Sequence, residues 1–324
     1  MATHNIDEQL DKYLADAHSI EEQALAQLRT APDIAGDPDL ADAFRRHLTE
    51  TERHERLTRE RLEARGGTPS RFKKLVMEVG GKGFILFARI QPDTPGKLTA
   101  HAYSYEALEQ ASYELLTRVA RRAGDQETVA MAQDILRDEY AMAERLAERF
   151  DAAAAASLRA KEPGDLTGRL TSYLADAHAL ENQAIGLLEH GKKIAGHPQL
   201  AALYDEHLAE TREHRRLVEE RLHALGAGPS RLKDAAMRLG AMNWGAFFQA
   251  HPDTPGKLAA FAYAFEHLEI AGYELLLRVA RAAGDEPTIA MAQRILLDER
   301  GAAEKIKASF DRAAEAALQA QGVA

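Results

Sequence analysis

The sequence predicts an all-α protein made of two tandem four-helix bundles, and three observations support this prediction. Apolar residues recur with the helical period of about 3.6 over several long segments, and no segment has the alternation of a convincing strand. Helix start and stop signals bracket those segments. The chain also repeats itself at a constant offset of 160 residues, from Tyr13–Phe150 to Tyr173–Phe310. Each repeat has the size of one domain, so we predict domains at residues 1–157 and 158–324.

Four long helices are predicted in the first repeat. Asp37 followed by Pro38 is typical of a helix start, because the aspartate caps the first turn and proline fits there. Gly124 followed by Asp125 ends one helix and caps the next. The predicted spans are Ile6–Arg29, Asp37 to the Gly66–Gly67 pair, Thr94 to Gly124, and Asp125 to about Ala155.

The connection between the second and third helices is about thirty residues long. Ser70 can cap an extra amphipathic helix that runs through about Ile90 inside it. A long connection allows the helices that it joins to lie parallel, as in ferritin-like bundles. Residues 151–165 are alanine-rich and then contain Pro163, so we predict a linker there, with a helical extension of the bundle as the alternative.

Three of the four helices carry a glutamate in the middle of an apolar stripe: Glu21, Glu109 and Glu139. A buried carboxylate without a partner costs several kcal/mol, so each must be protonated, paired with a base or bound to a cation. The second helix carries Glu50 and His54 on the flank of its apolar face. All four positions lie near helix midpoints, so we expect them to converge.

The second repeat carries the same pattern independently. With Glu106, one turn before Glu109, the predicted metal ligands are Glu21, Glu50, His54, Glu106, Glu109, Glu139, Glu181, Glu210, His214, Glu266, Glu269 and Glu299. Such a donor set suits two hard or borderline divalent cations per repeat. A surface glutamate at a helix edge is the alternative, chiefly for Glu50 and Glu106.

Other polar residues near these helices receive weaker assignments. We expect His47 and His207 to support the ligands or to sit hydrogen-bonded in the core. Asp138 points about 100° away from Glu139 on its helix, so we expect it to be solvated or ion-paired. Tyr113 is expected to pack in the core, with hydrogen bonding or electron relay as alternatives. His18 lies at a stripe edge and is unassigned.

Composition excludes several classes of function. The chain has no cysteine, which rules out disulfides, thiolate nucleophiles and Cys-ligated metals and fits a reducing compartment, so we expect a cytoplasmic protein. The formal net charge of −10 argues against nucleic acid as the main partner. We expect no signal peptide, since Met1–Gln9 is polar, and no membrane span, since apolar clusters are short. The sequence is compatible with a homo-oligomer.

These residues resemble the YciE/YciF family within the ferritin-like superfamily, and each repeat is similar to it over nearly its whole length. The motifs that carry the resemblance are Asp16–Gln23, His47–Thr51, Glu106–Tyr113 and Asp138–Glu139, and the second repeat's Glu266–Tyr273 is closer still to the family pattern. The resemblance implies a stress-associated di-metal four-helix bundle, labelled by analogy as a ferroxidase.

The wider ferritin-like pattern places a Glu-x-x-His pair on each of two helices, and this chain departs from it. Three residues after Glu50, where the first histidine is expected, the chain has Arg53, and His54 follows one residue later. Three residues after Glu139, where the second histidine is expected, it has Met142. A site poor in imidazole is expected to hold iron weakly, prefer manganese or hold one metal.

We therefore expect two divalent metal ions per repeat, with iron first and manganese as the alternative. The expected reaction is oxidation of Fe(II) with O₂ or peroxide in stress protection, which would make the protein an oxidoreductase of ferroxidase type. Two alternatives stay open. One is a non-catalytic stress or scaffold protein that binds metal incidentally. The other is peroxide dismutation at a dimanganese centre.

Overall fold

The structure is a computed structural model that describes residues 5–67, 94–159, 165–230 and 254–323. The chain divides into two compact units: the first consists of Met1–Lys161 with Gly322–Ala324, and the second of Glu162–Gln321. Within the described ranges α-helices are the only regular elements, so the all-α prediction and the prediction of two tandem helical bundles are confirmed. The predicted domain boundary between residues 157 and 158 stays a prediction.

The first unit is built from four long helices. Two shorter helices accompany them in the described part of the unit. In chain order they are α1 (Ile6–Leu28), α2 (Ala31–Ile34), α3 (Pro38–Ala64), α4 (Thr94–Ala123), α5 (Gln126–Ala147) and α6 (Phe150–Arg159).

The four long helices begin within a residue of the positions that the sequence predicts, and the first three also end close to their predicted ends. The side chain of Asp37 accepts hydrogen bonds from the backbone N–H groups of Asp39 and Leu40 at the start of α3. The side chain of Asp125 accepts from the N–H of Thr128 at the start of α5. Gly124, between α4 and α5, has a φ of 73°, a left-handed conformation that glycine adopts without steric cost.

Contacts along the helices fix their directions. Arg61, late in α3, contacts Asp125 before α5, whereas Glu50, near the middle of α3, contacts Arg145 late in α5. These two helices are therefore antiparallel. By the same reasoning α1 is antiparallel to α3, because Asp11, early in α1, contacts Arg65 at the end of α3, whereas Glu21, later in α1, lies 3.8 Å from His54 near the middle of α3.

Helices α1 and α4 are also antiparallel. His101, early in α4, contacts Gln27 at the end of α1, and Tyr113, later in α4, contacts Glu21. Since α1 is antiparallel to both α3 and α4, those two helices run parallel, as the length of their connection predicts. The predicted crossover helix from Ser70 to Ile90 lies outside the described residues, as does residue range 231–253 of the second unit.

The core of the first unit is formed by leucine, isoleucine and aromatic side chains from all four long helices. Its fully buried members include Leu10, Leu14, Leu40, Phe44, Leu116 and Ile135. Burying a side chain of this kind contributes about 1.5–3 kcal/mol to stability. The apolar stripes thus pack together and carry the polar residues at their centres into the interior.

The fourth predicted helix is two helices in the structure. Helix α5 ends at Ala147, and α6 begins at Phe150, which is buried. The chain turns there so that α6 packs on α4, where the Oγ atom of Ser157 accepts a hydrogen bond of 2.8 Å from the N–H of Gly96. Residues 151–159, predicted as part of a linker, are thus helical and extend the first unit.

The second unit repeats this arrangement over its described residues, and its long helices pack in the same pairs. Among the described residues, no helix combines the length and the hydropathy that crossing a membrane requires. The helices are α7 (Leu166–Ile194), α8 (Pro198–Ala224), α9 (Thr254–Ala283), α10 (Glu286–Ala308) and α11 (Phe310–Ala320).

Candidate metal centres

Each long helix of the first unit directs polar side chains into the centre of the bundle. Glu21 from α1, His54 from α3, Glu109 from α4 and Glu139 from α5 are at most 1% exposed, and Glu106 from α4 is 3% exposed. Five of the six ligands predicted for this unit therefore lie together in the interior. Burial of four carboxylates in one place is unfavourable unless a proton or cation compensates their charge.

One group of candidate ligands combines residues of three helices. Atoms of His47, Glu106, Glu109 and Glu139 lie within 4.8 Å of one another. Nε2 of His47 is 3.3 Å from Oε2 of Glu106 and 3.5 Å from Oε2 of Glu139. We call this group the first cluster.

A second cluster shares Glu139 with the first. It contains Glu21, His54 and Glu139, again with ligand atoms within 4.8 Å. Nδ1 of His54 lies 2.8 Å from Oε1 of Glu139 and 3.8 Å from Oε2 of Glu21. The two oxygens of Glu139 thus face different histidines, and this one carboxylate belongs to both clusters.

Several buried oxygens of these clusters have no hydrogen-bond partner of normal geometry. Both carboxylate oxygens of Glu109 are in this position, as are Oε2 of Glu21 and Oε2 of Glu106. Buried polar atoms are nearly always satisfied in folded proteins. An unsatisfied group of oxygens directed at one another fits the coordination of cations, so the residues present suit a metal site.

The pKa values of the carboxyl groups reflect this crowding. Burial raises the pKa of Glu109 well above its usual range, and the charges of Glu139, Glu21 and Glu106 raise it further. Burial raises the pKa of Glu21 to about 8, against the attraction of His54. Burial likewise raises the pKa of Glu139 to about 6, because the nearby histidines offset only part of the effect.

His54 is held by a carboxylate on its other side. Its Nε2 atom lies 3.1 Å from Oδ2 of Asp138, which also pairs with Arg53 at 2.6 Å. This contact orients Nδ1 toward the second cluster, as carboxylates commonly orient metal-binding histidines. The expectation that Asp138 is ion-paired is met by Arg53, but its contact with His54 was not predicted from the sequence.

The structure does not bring Glu50 to the clusters, and His47 takes the inward position instead. Glu50 is half-buried and accepts hydrogen bonds from Arg145 at 2.8 and 3.2 Å. It also contacts Nδ1 of His47 at 3.0 Å. Burial would raise the pKa of Glu50, but these contacts outweigh it and lower the pKa to about 2. His47, which was expected to support the ligands, thus lies among the candidate ligands, whereas Glu50, which was predicted as a ligand, contacts His47 from outside the cluster.

Helical geometry explains this exchange. His47 and His54 are seven residues apart, which is close to two full turns, so both face the interior. Glu50 is about 60° away on the surface of the helix. The spacing of seven between the two histidines was the signal in the sequence that could have identified His47.

The second unit contains the same pair of clusters. The first consists of His207, Glu266, Glu269 and Glu299, and the second of Glu181, His214 and Glu299. Nε2 of His207 is 2.9 Å from Oε2 of Glu266, and Nδ1 of His214 is 2.9 Å from Oε1 of Glu299. Here too Glu210 is half-buried and lies beside Nδ1 of His207, outside the clusters.

A buried tyrosine accompanies each second cluster. The hydroxyl group of Tyr113 donates a hydrogen bond to Oε1 of Glu21, and Tyr273 donates to Oε1 of Glu181. Burial raises the pKa of both hydroxyl groups well above their usual range, so both are protonated donors. In the first unit Tyr113 fixes one oxygen of Glu21, and the other, Oε2, lies 3.8 Å from Nδ1 of His54. In the second unit the oxygen that Tyr273 fixes, Oε1 of Glu181, itself lies 3.9 Å from Nδ1 of His214.

Fold and site together define a protein of two tandem helical bundles, each with paired and buried His/Glu clusters that could hold metal ions. A family model described as a domain of unknown function, DUF892, matches residues 5–159 and again residues 165–319. The chain therefore belongs to the DUF892 family and carries two copies of its domain. No solved structure matches the chain.

Proposed function

We propose that each unit binds two divalent metal ions and that the protein oxidises Fe(II) with O₂ or peroxide. One observation carries this proposal: a single buried glutamate, Glu139 or Glu299, is shared by the two clusters of its unit. Its two oxygens face different histidines. A carboxylate between two adjacent cation sites is suited to a two-metal centre.

The charge of the site supports two ions and not one. Glu21, Glu106, Glu109 and Glu139 together carry four negative charges when ionised, and all are buried. Two divalent cations bring four positive charges, so the centre is neutral when both histidines are neutral. Buried charges are tolerated when they are compensated in this way. In the second unit Glu181, Glu266, Glu269 and Glu299 provide the same balance.

The residues fall into two ligand sets. His47, Glu106 and Glu109 would hold one ion, Glu21 and His54 the other, and Glu139 would contact both. Bound iron would supply the redox chemistry: two Fe(II) ions give up two electrons, which with two protons reduce O₂ to H₂O₂ or reduce H₂O₂ to two molecules of water.

The protein side chains manage protons and orientation. Glu109 and Glu21 hold protons near neutral pH, since their pKa values are raised, and release them when cations take their place. Tyr113 and Asp138 fix the orientation of Glu21 and His54 from behind. The apolar core around the clusters restricts access of water and limits side reactions.

The resemblance to the YciE/YciF family supports the same reaction. Its motifs place Glu21, Glu109 and Glu139 on the three helices that supply all the carboxylates of the first unit's two clusters. A stress-protective role in the cytoplasm is part of this proposal and rests on the resemblance and on the lack of cysteine.

Peroxide dismutation at a dimanganese centre is the second candidate. It is favoured by the donor set, which contains four carboxylates and only two imidazoles in each unit. Carboxylate ligands suit manganese, whereas additional imidazoles would favour iron or copper. Degradation of peroxide by the manganese-loaded protein, without consumption of O₂ by the iron-loaded protein, would identify this activity.

The deciding experiment measures oxygen consumption after metal-free protein is loaded anaerobically with Fe(II). The test variant combines Glu139→Gln with Glu299→Gln, which removes the shared ligand of both units while preserving side-chain shape. A matched control combines Glu144→Gln with Glu304→Gln, exposed residues on the same two helices. We expect oxidation by wild type and control and its loss in the test variant. Wild-type rates equal to those of free Fe(II) would overturn the proposal.

A further inference from the structure

Among the residues that the structure describes, a further group of candidate ligands lies outside the paired clusters, and it belongs to the first unit. It consists of His18 and Glu22 from α1 and Glu55 from α3, with ligand atoms within 4.8 Å of one another. Nε2 of His18 is 3.1 Å from Oε1 of Glu55, and its Nδ1 is 3.9 Å from Oε2 of Glu22. Two ligands of one first-row cation, each at about 2.1 Å, lie at most about 4.2 Å apart, so small side-chain movements suffice.

The burial of this group differs from that of the paired clusters. His18 is 2% exposed, whereas the side chains of Glu22 and Glu55 are 14% and 21% exposed. The imidazole is thus fixed in the core, and the carboxylates open toward solvent. A cation can therefore reach the group without opening of the bundle.

One ion-pair partner of the group, Arg59, is held weakly. Nε of Arg59 lies 3.2 Å from Oε1 of Glu55 one turn earlier on the same helix, and its side chain is 38% exposed. Exposed ion pairs within one helix contribute little to stability. A divalent cation that coordinates three side chains can displace such a guanidinium.

The second unit provides an internal comparison, because the same backbone carries different side chains. His178 is retained at the position of His18, but Asn182 replaces Glu22 and Arg215 replaces Glu55. Asn182 contacts Nδ1 of His178 at 3.2 Å and accepts from Arg215 at 3.3 Å. The guanidinium of Arg215 contacts the same asparagine that contacts the imidazole, and neither carboxylate is present, so this arrangement opposes binding of a cation.

We propose that His18, Glu22 and Glu55 form a third, mononuclear site for a divalent first-row cation in the first unit, and that the equivalent position of the second unit does not bind one. The site adjoins the second cluster along both helices, because Glu22 follows Glu21 and Glu55 follows His54 in the chain. The two units therefore differ in metal capacity although their paired clusters match. This proposal does not depend on the redox activity proposed above.

The test compares Mn(II) stoichiometry in the full-length protein by electron paramagnetic resonance titration at neutral pH. Glu22→Gln with Glu55→Gln removes both carboxylates and keeps their shape, and we expect this variant to bind one Mn(II) fewer than wild type. Asn182→Glu with Arg215→Glu installs the missing carboxylates in the second unit, and we expect this variant to bind one Mn(II) more. Anomalous scattering from crystals grown with Mn(II) should place an ion beside His18 and none beside His178.

Unchanged stoichiometry in the first variant, with no ion beside His18, would overturn the third site. That result would leave the paired clusters unaffected, since they are tested by Glu139→Gln with Glu299→Gln. Conversely, loss of an ion on Glu22→Gln with Glu55→Gln would uphold the third site even if Fe(II) oxidation were absent. The installed site in the second unit keeps the test valid if the first variant folds poorly.

Discussion

Nδ1 of His54 lies 2.8 Å from Oε1 of Glu139 at the centre of the first bundle. Burial lowers the pKa of His54, but its contacts with Glu139, Glu21 and Asp138 outweigh burial and raise the pKa to about 9. The imidazole is therefore protonated at neutral pH in the metal-free protein. A histidine must lose this proton before Nδ1 can bind a metal, so binding of metal is coupled to release of protons.

The first prediction follows from this coupling. Near neutral pH, metal binding should displace protons from His54 and also from Glu21, whose pKa is raised to about 8. The affinity of the centre for divalent metal should therefore rise with pH up to about 9, by roughly tenfold per pH unit for each proton displaced. Calorimetric titration with Mn(II) in buffers of different ionisation enthalpy counts the released protons. Binding without proton release at neutral pH would show that these groups are not the ligands.

The helical period and the length of one connection were sufficient to predict most of the fold and the acids of the site. Glu21, Glu109 and Glu139 each stand in the middle of an apolar stripe, and a side chain in that position must face the core. The thirty-residue connection allowed α3 and α4 to run parallel. These predictions need only local geometry, which is nearly the same in all α-helices.

Other features of the site depend on how the helices pack against one another. Glu50 and His47 differ by about 60° on α3, so the rotation of that helix in the bundle decides which one points inward. The contact of Asp138 with His54 and the group around His18 require distances between helices, which the period of one sequence segment does not contain. The turn between α5 and α6 likewise follows from packing on α4.

The second prediction concerns the residue that orients His54. Asp138→Asn should lower the affinity of the first unit for metal by about 10–100-fold, because the hydrogen-bond partner of a metal-binding histidine fixes its orientation and basicity. Asp134→Asn is the matched control, since Asp134 pairs with the same Arg53 at 2.6 Å on the solvent side. Competition with a chelator measures both affinities. Equal losses in the two variants would assign Asp138 to a surface ion pair only.

The third prediction tests the exchange of Glu50 and His47. His47→Ala should abolish binding at the first cluster, because it removes a nitrogen directed at Glu106 and Glu139. Glu50→Gln should leave binding in place and weaken it by at most about 10–100-fold, since Glu50 only contacts the outer nitrogen of His47. Metal content after dialysis distinguishes the two variants. Loss of the ion in Glu50→Gln alone would restore Glu50 as a ligand.

The fourth prediction is that the two units act independently. Glu109→Ala and Glu269→Ala should each remove activity from one unit and leave about half of the total, because each unit buries its own core and its own clusters. The double variant should be inactive. Initial rates of Fe(II) oxidation give all three values. Complete loss in either single variant would mean that the centres are coupled or that only one is functional.

The last prediction concerns stability and follows from the raised pKa of Glu109. In the metal-free protein a carboxyl group whose folded pKa is raised stabilises the fold fully below its unfolded pKa of about 4.3, and this contribution is lost as pH rises. At neutral pH the unfolded chain gains by ionising Glu109, whereas the folded protein must keep it protonated or bury its charge. Glu109→Gln removes this penalty, so it should raise the melting temperature of the metal-free protein at neutral pH and less so near pH 5.

With saturating metal, the melting temperature of wild type should exceed that of Glu109→Gln, which is the reverse of the order expected for the metal-free proteins. A ligand that binds only the folded state stabilises it in proportion to the logarithm of its concentration over its dissociation constant, and the variant lacks one carboxylate ligand. Thermal melting of both proteins, with chelator and with excess Mn(II), gives the melting temperatures without and with metal. The same substitution at Glu114, a partly exposed residue of α4 paired with Arg118, serves as control and should not gain stability without metal. If Glu109→Gln destabilised the metal-free protein at both pH values, Glu109 would not lie in a crowded carboxylate cluster and the proposed centre would be wrong.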